Sequence, residues 1–193
     1  ACELLVEIAV EQFQTTTFTI KPLNIAPVVR DLVVDIEKAY ELVEQVISLN
    51  NGTYLESELK NPVATDFSVG VAGYPEKHFE SPNLDEDMYW LKKKVDAGAD
   101  YIVTQLFFNN EKFFEFRDKC KETGIKVPIV PGIKPIPTLK DLELLPRVFH
   151  IDIPQERVEG ARKCKNNAEA KELGVEWAIK QSKELQNSGG PAI

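Results

Sequence analysis

The sequence predicts an α/β fold in which parallel strands alternate with helices, and two observations support this prediction. Three short apolar runs, at residues 67–73, 101–108 and 127–133, have the composition of strands buried on both faces. Segments with helical spacing of apolar residues follow each run. Alternation of this kind produces right-handed βαβ units and a parallel sheet.

The N-terminal third of the chain is less regular. Residues 4–10 and 15–20 are rich in β-branched side chains, which favours strands. From about Pro27 the apolar residues, among them Leu32 and Ile36, fall at helical spacing, and Asn50-Asn51-Gly52 is a typical helix end. Residues 53–65 are predicted to form a polar connection.

The helices after residue 80 are easier to place. The first of them has acidic residues in its first turn and lysines in its last, which complements the helix dipole. Its buried stripe is predicted to consist of Leu84, Met88, Leu91 and Val95. Further helices are expected at about 110–122, from 138, from 154 and at 168–186.

This order of elements is that of a (β/α)8 TIM barrel, but of only part of one. A closed barrel of eight strands usually takes about 200 to 250 residues, and this chain has 193. The last predicted element is a helix, after which a barrel would continue with another strand. We therefore expect residues 1–193 to form a single, partial or truncated barrel domain.

Composition excludes several classes of protein. A net charge of −8 argues against a nucleic-acid partner, and the sequence lacks an apolar run long enough for a transmembrane helix as well as a secretory signal. The three cysteines are far apart and only two histidines are present, which disfavours a zinc site and favours a cytoplasmic location. Dinucleotide-fingerprint, P-loop and Gly-x-Ser-x-Gly motifs are missing.

The candidate functional residues cluster where predicted strands end. Tyr74 and His78 lie just past the first strand, where they could contact a cofactor or could simply pack and be solvated. Gln105 lies inside an apolar run, so its amide must be satisfied either by backbone or by the amide-like edge of a heterocycle. Polar groups at the carboxyl ends of parallel strands are typical of ligand sites in α/β proteins.

Other polar residues have a plain structural interpretation. Asp87 and Lys94 are seven residues apart and lie on one side of a helix, where a solvated charged face is the favoured interpretation. His150 is expected to pack beside apolar neighbours. Lys134 could meet an anion, and Glu7 either faces water or is a buried carboxylate with a raised pKa.

A resemblance to a known family adds to this pattern. The segment Asp66-Phe-Ser-Val-Gly-Val-Ala-Gly-Tyr-Pro-Glu-Lys-His78 is followed by Leu91-Lys-Lys-Lys-Val-Asp-Ala-Gly-Ala-Asp100, Thr104-Gln-Leu-Phe-Phe108 and Val130-Pro-Gly-Ile-Lys-Pro135. In order and spacing these segments resemble the FAD-dependent methylenetetrahydrofolate reductases of the bacterial type. Residues 149–154 and 174–178 also fit. The resemblance covers about residues 38–188 and leaves residues 1–36 and a last barrel strand unmatched.

The resemblance implies a flavoprotein that takes a hydride from NADH or NADPH onto FAD and passes it to 5,10-methylenetetrahydrofolate, giving 5-methyltetrahydrofolate. It also implies a small-molecule folate substrate and a possible homo-oligomer. By position in the matched motifs, flavin contacts are expected at Tyr74, His78, Asp87 and Lys94. Gln105 matches the glutamine that contacts the pterin, and Leu145 falls near a substrate-side aromatic residue of some members.

Two departures from the family pattern keep an alternative open. The Phe-Glu-x-x-Pro-Pro-like segment with the family's catalytic glutamate is missing, and Glu7 is the one candidate to replace it. An Arg-Gly-Asp strand end is missing as well. The alternative is therefore an inactive or fragmentary homologue that binds flavin or folate weakly or associates with another chain. A third hypothesis, a barrel lyase or aldolase, would use Lys134 as a Schiff-base amine.

Overall fold

The computed structural model describes residues 4–8, 16–20, 38–55 and 61–189. Its strands are β1 (Leu4–Ile8), β2 (Thr16–Ile20), β3 (Ser68–Gly73), β4 (Tyr101–Thr104) and β5 (Ile129–Val130). Its helices are α1 (Ala39–Asn50), α2 (Leu84–Asp96), α3 (Asn110–Glu122), α4 (Asp141–Phe149), α5 (Gln155–Arg162) and α6 (Asn167–Asn187). The alternation of strands and helices predicted after residue 66 is therefore present, with shorter strands than the apolar runs suggested.

The strands form one sheet in the order β1-β2-β3-β4-β5. Strands β3 and β4 run parallel, because the bonds from Asp100 N–H to the Val69 carbonyl and from Gln105 N–H to the Gly73 carbonyl advance together along both strands, each at 2.8 Å. This confirms the predicted parallel βαβ unit.

The N-terminal strands are antiparallel. Strand β1 pairs with β2 in the register Leu4↔Ile20, and β2 pairs with β3 in the register Thr16↔Val71. Only seven residues separate Ile8 from Thr16, whereas a parallel connection needs a crossover of a dozen or more. The two strands predicted in this region are present, but they form a hairpin and not two parallel barrel strands.

The described residues fall into two compact units. The first unit is drawn from residues up to 72 and from 89–102, and the second unit from 73–88 and from 103 onward. In the first unit, α1 buries Leu42, Val43, Val46 and Leu49. The Asn50 side chain pairs with both the N–H and the carbonyl of Phe67, which ties the end of α1 to the start of β3. Helix α1 ends at Asn50, as the sequence Asn50-Asn51-Gly52 predicted. The predicted helical residues Leu32 and Ile36 lie outside the described residues.

The second unit is held by two apolar clusters. Phe107, Phe113 and Leu185 form one of them, with the two phenyl rings stacked at 5.3 Å between centroids. Phe108, Ile136, Leu145 and Ile151 form the other. Burial of Phe113, Phe116 and Cys120 on one side of α3 confirms the periodicity seen in the sequence.

The prediction that Leu84 is buried is wrong, whereas His150 packs on an apolar ring as predicted but at the surface. Leu84 is 42% exposed, because it lies at the first position of α2 before the buried stripe begins at Asp87 and Met88. His150 is exposed and takes a left-handed backbone conformation (φ 52°) at the end of α4, where it stacks on the exposed ring of Phe79 at 4.2 Å.

No helix among the described residues has both the length and the apolar character that crossing a membrane would require.

Candidate functional site

The carboxyl ends of three strands converge in the second unit. Gln105, the residue after β4, donates its backbone N–H to the carbonyl of Gly73 at the end of β3. Gly132, two residues after β5, donates its N–H to Thr104 Oγ1 at 2.9 Å. A Cβ on Gly132 would lie 2.2 Å from the Thr104 carbonyl oxygen, so only glycine allows this approach. The predicted meeting of Tyr74 and Gln105 at one sheet edge is a consequence of this parallel arrangement.

The loop after β3 is a tight turn in a costly conformation. Lys77 donates its N–H to the Tyr74 carbonyl at 3.1 Å and adopts a φ of 76°. A side chain other than glycine in this region costs of order 1–3 kcal/mol. The Lys77 ammonium compensates by donating to the carbonyls of His78 and Ser81. Backbone strain of this kind clusters at functional sites, which marks the loop as a candidate site.

Asp87 holds the same loop from the first turn of α2. One carboxylate oxygen accepts from the His78 N–H and the other from the Ser81 hydroxyl, each at 3.1 Å. The side chain is only 4% exposed, so the solvated face favoured from the sequence is wrong here. Both carboxylate oxygens have partners within the protein, which makes Asp87 an anchor for the loop.

Tyr74 and His78 meet edge to face, with ring centroids 4.6 Å apart. Burial raises the pKa of Tyr74 to about 12, with further contributions from the charges of Asp87 and Glu80. Its hydroxyl therefore stays protonated and can donate at neutral pH. His78 Nδ1 accepts from the Glu80 N–H at 3.4 Å, so Nε2 carries the proton in the neutral ring.

Gln105 has its acceptor engaged and its donor available. Its Oε1 accepts from the Leu106 N–H at 2.9 Å, and within the described part of the chain Nε2 has no acceptor. The residue lies just past β4 and is partly buried, not inside the strand as the apolar run suggested. An amide N–H₂ in this position can donate to a carbonyl or ring nitrogen of a ligand.

The other candidates are Lys94, Leu145, Glu7 and Lys134. Lys94 is 2% exposed in the first unit, where its ammonium donates to the Ala72 carbonyl at 2.6 Å. Leu145 is buried in the second apolar cluster of the second unit and presents no surface to a ligand. For Glu7 the structure describes a backbone pairing with Thr17, and its side chain lies outside the described atoms. Lys134 is exposed, which removes the desolvation that a Schiff-base lysine needs.

Glu76 is a site residue that the sequence analysis missed. It lies between Tyr74 and His78, and its Oε2 accepts from the Asp152 N–H at 2.7 Å. Its Oε1 is buried and accepts from no described residue. Burial raises the pKa of this carboxyl above its ordinary value of 4.5, against a lowering contribution from the Asp152 N–H. The partner is 76 residues away in sequence, so local pattern held no signal for this contact.

The raised pKa of Glu76 predicts a pH-dependent effect on stability. A carboxyl whose pKa is higher in the folded state favours folding below its ordinary pKa, and that contribution is lost as pH rises through the folded value. We expect Glu76→Gln to gain in thermal stability relative to the unsubstituted chain as pH rises from about 4 to about 7. Melting curves for both chains measure this, with Glu80→Gln in the same loop as control. A constant difference across the pH range would contradict the prediction.

Among the described residues, no group of three or more His, Cys, Asp or Glu side chains could hold a metal ion.

The sheet and the converging strand ends define an α/β protein of the TIM-barrel class, present as part of a barrel, with a polar site at the carboxyl edge. The sequence model of the methylenetetrahydrofolate reductase family matches residues 29–193, and the chain belongs to this family. The match confirms the resemblance and begins some ten residues earlier than the motifs indicated.

Three curated relatives illustrate the similarity. A probable methylenetetrahydrofolate reductase (NADPH) of Caenorhabditis elegans is 37% identical over 129 residues, covering 66% of this chain and 20% of the relative. The methylenetetrahydrofolate reductase (NADH) 1 of Arabidopsis thaliana is 37% identical over 145 residues, covering 70% and 24%. The 5,10-methylenetetrahydrofolate reductase of Pectobacterium carotovorum is 37% identical over 125 residues, covering 64% and 42%. The chain thus spans less than half the length of each of these relatives.

A solved structure is a weaker match. It is described as an uncharacterized protein from Clostridium thermocellum that binds two copies of 5-methyl-5,6,7,8-tetrahydrofolic acid. The TM-score is 0.47 at 23% identity, over 61% of this chain and 41% of that chain. The family assignment rests on the sequence comparisons alone.

Proposed function

We propose that this chain takes part in the flavin-dependent reduction of 5,10-methylenetetrahydrofolate to 5-methyltetrahydrofolate, with NADH or NADPH as the hydride source. Family membership over residues 29–193 supports the reaction class, and the relatives' names include both nucleotides. The observation that carries the proposal is the position of Gln105, which has an available amide donor and a backbone bond to Gly73, the residue before the strained Tyr74–His78 loop.

The donors of this loop fit FAD. The Tyr74 hydroxyl stays protonated, and His78 Nε2 carries a proton when the ring is neutral. Neutral donors of this kind suit the carbonyl and hydroxyl oxygens of a flavin. In the proposal Tyr74 and His78 hold FAD, and Asp87 fixes the backbone that presents them. When bound, FAD supplies hydride-relay chemistry that no amino-acid side chain provides.

Gln105 is proposed to position the folate. Its available Nε2–H₂ group can donate to the edge of a pterin, which carries a carbonyl and ring nitrogens as acceptors. Leu106 N–H holds Oε1 and so fixes the direction of Nε2. Three broader expectations accompany this role: a single partial barrel domain over residues 1–193, a cytoplasmic location and a homo-oligomer.

One observation favours the alternative of a weakly binding homologue. The β1–β2 hairpin pairs antiparallel with β3, where a barrel would have a parallel neighbour. If the flavin pocket of the family depends on that neighbour, this chain would bind FAD weakly or only with another chain.

The test separates these two functions. The purified chain is mixed with excess FAD, desalted, and its visible spectrum recorded before and after anaerobic NADH and then methylenetetrahydrofolate. We expect retained flavin that bleaches with NADH and regains colour with folate. A folded chain that retains no flavin would overturn the proposal in favour of the alternative.

Replacing Gln105 tests the folate role within the same assay. We expect Gln105→Leu to retain flavin and bleach with NADH, but to slow folate-dependent recovery by about tenfold, the equivalent of one lost hydrogen bond. Gln186→Leu, on the exposed side of α6, is the matched control and should recover normally. Recovery at the unsubstituted rate in Gln105→Leu would remove Gln105 from the site.

A further inference from the structure

A cavity of about 270 Å³ lies wholly within the second unit. None of the residues that line it belongs to the candidate site formed by Tyr74, His78 and Gln105. Residues at the start of α3, at the start of α5 and in the second half of α6 line it, and it is open to solvent on one side. The side chains that matter for its chemistry are Phe108, Asn110, Arg157, Trp177, Gln181 and Glu184. Sites for drug-sized ligands occupy roughly 300–1,000 Å³, so this cavity suits a smaller molecule than a flavin or a folate.

Asn110 lines the cavity and holds one of its carboxylates. Its side chain is 7% exposed, and Nδ2 donates to Glu184 Oε2 at 2.8 Å and to the Gln181 carbonyl at 3.3 Å. These two acceptors fix which way the amide points, because a flipped amide would set oxygen against oxygen. Its Oδ1 is buried and accepts from no described residue. Because this oxygen has almost no accessible surface, the Asn110 amide contributes to the cavity by orienting the Glu184 carboxylate.

Arg157 presents a cation on the other side of Gln181. Its guanidinium lies over the rings of Phe108 and Trp177, at 5.4 and 5.8 Å from their centroids. Its Nη1 donates to Gln181 Oε1 at 3.3 Å. A guanidinium has five N–H donors and stays charged in proteins. It can therefore bind a carboxylate while remaining stacked on the two rings.

The charged residues that line the cavity indicate which kind of ligand it can bind. Glu111, Glu156 and Glu184 line the cavity together with Arg157 and Lys180. The three exposed carboxylates repel a bare anion, and the half-buried guanidinium together with the exposed Lys180 repels a bare cation. A ligand that carries both charges meets a partner for each.

We propose that this cavity binds a small α-amino acid, with its carboxylate on Arg157 and its ammonium on Glu184, which the Asn110 amide holds in place. Gln181 sets the spacing of the two ends, because it bonds to Arg157 through its side chain and to Asn110 through its carbonyl. The Gln181 side chain is itself held by the Phe107 carbonyl at 2.9 Å. The site is thus built before any ligand arrives.

Calorimetric titration of the full chain with L-leucine tests the proposal without FAD. Two probes each remove one charge from leucine: 4-methylpentanoate lacks the ammonium, and 3-methylbutylamine lacks the carboxylate. We expect leucine to bind with a dissociation constant of about 1 mM or tighter, and each truncated probe to bind at least about tenfold more weakly. Equal binding of 4-methylpentanoate would show an anion site and overturn the proposal, as would no leucine binding by the folded chain.

Variants identify the cavity as the place of binding. We expect Arg157→Gln to weaken leucine binding by at least about tenfold, while Arg162→Gln, exposed on the same helix, leaves it unchanged. Arg157→Lys keeps a cation but loses the planar guanidinium. This variant should therefore fold and bind leucine more weakly. It replaces Arg157→Gln in the test if Arg157→Gln does not fold. Unchanged binding in Arg157→Lys would overturn the assignment. The cavity and the Tyr74–His78 loop share no residue. A failure of leucine binding would therefore not count against the proposed function.

Discussion

Replacing Asp87 with alanine is expected to lower the free energy of unfolding by about 3 kcal/mol. The carboxylate accepts from the His78 N–H and the Ser81 hydroxyl at a position that is 4% exposed. Hydrogen bonds to a charged group contribute about 1.5–3 kcal/mol each, and they are not fully additive. Alanine would also leave two buried donors without an acceptor. Urea denaturation of the purified chain measures the loss.

Asp85→Ala is the matched control, because both aspartates lie in the first turn of α2 and interact similarly with the helix dipole. The Asp85 side chain is 87% exposed and pairs with Lys119 at 3.3 Å. An exposed pair contributes about 0–1 kcal/mol. We expect Asp87→Asn, which keeps one acceptor oxygen, to fall between the two alanine variants.

The same series separates a structural anchor from a ligand contact. If Asp87 acts by holding the loop, Asp87→Ala should lose both stability and retained FAD, and Asp87→Asn should recover part of each together. A chain that keeps its stability in Asp87→Ala but loses flavin would instead show a direct contact. Equal stability of Asp87→Ala and Asp85→Ala would contradict the anchor role.

Local periodicity was sufficient for the part of the fold that carries the site. The apolar runs ending near Gly73 and Thr104 belong to neighbouring parallel strands, so Tyr74 and Gln105 had to emerge at the same edge of the sheet. Helix boundaries also followed from short-range signals, since Asn50 and Gly52 end α1 where their side-chain and backbone preferences require.

Other features depended on partners that sequence spacing does not reveal. Asp87 and Lys94 looked like a solvated charged face, yet both are buried, and each bonds to a backbone group inside the protein. The contact of Glu76 with Asp152 joins segments far apart in the chain. Periodicity assigns a residue to a face of a helix, but only tertiary packing decides what covers that face.

Gly132→Ala is expected to lower the free energy of unfolding by about 3 kcal/mol, near the upper end for overpacked sites. Its φ is not in the left-handed region, so the effect is steric. The new Cβ would lie 2.2 Å from the Thr104 carbonyl oxygen and 3.2 Å from the Leu106 nitrogen. Backbone atoms cannot rotate away as a side chain can. Moving the loop instead would break the bond from Gly132 N–H to Thr104 Oγ1.

Gly124→Ala separates this clash from the general effect of adding a methyl group. Gly124 has a φ of 81°, and no atom lies within 4 Å of the place that an alanine Cβ would take, so alanine there costs roughly 1–2 kcal/mol from backbone conformation alone. Urea denaturation should therefore give a lower free energy of unfolding for Gly132→Ala than for Gly124→Ala. The clash also presses on the backbone around Gln105, so folate-dependent recovery should fall in Gly132→Ala and stay normal in Gly124→Ala. The reverse ranking would mean that the strand ends are not in contact as described.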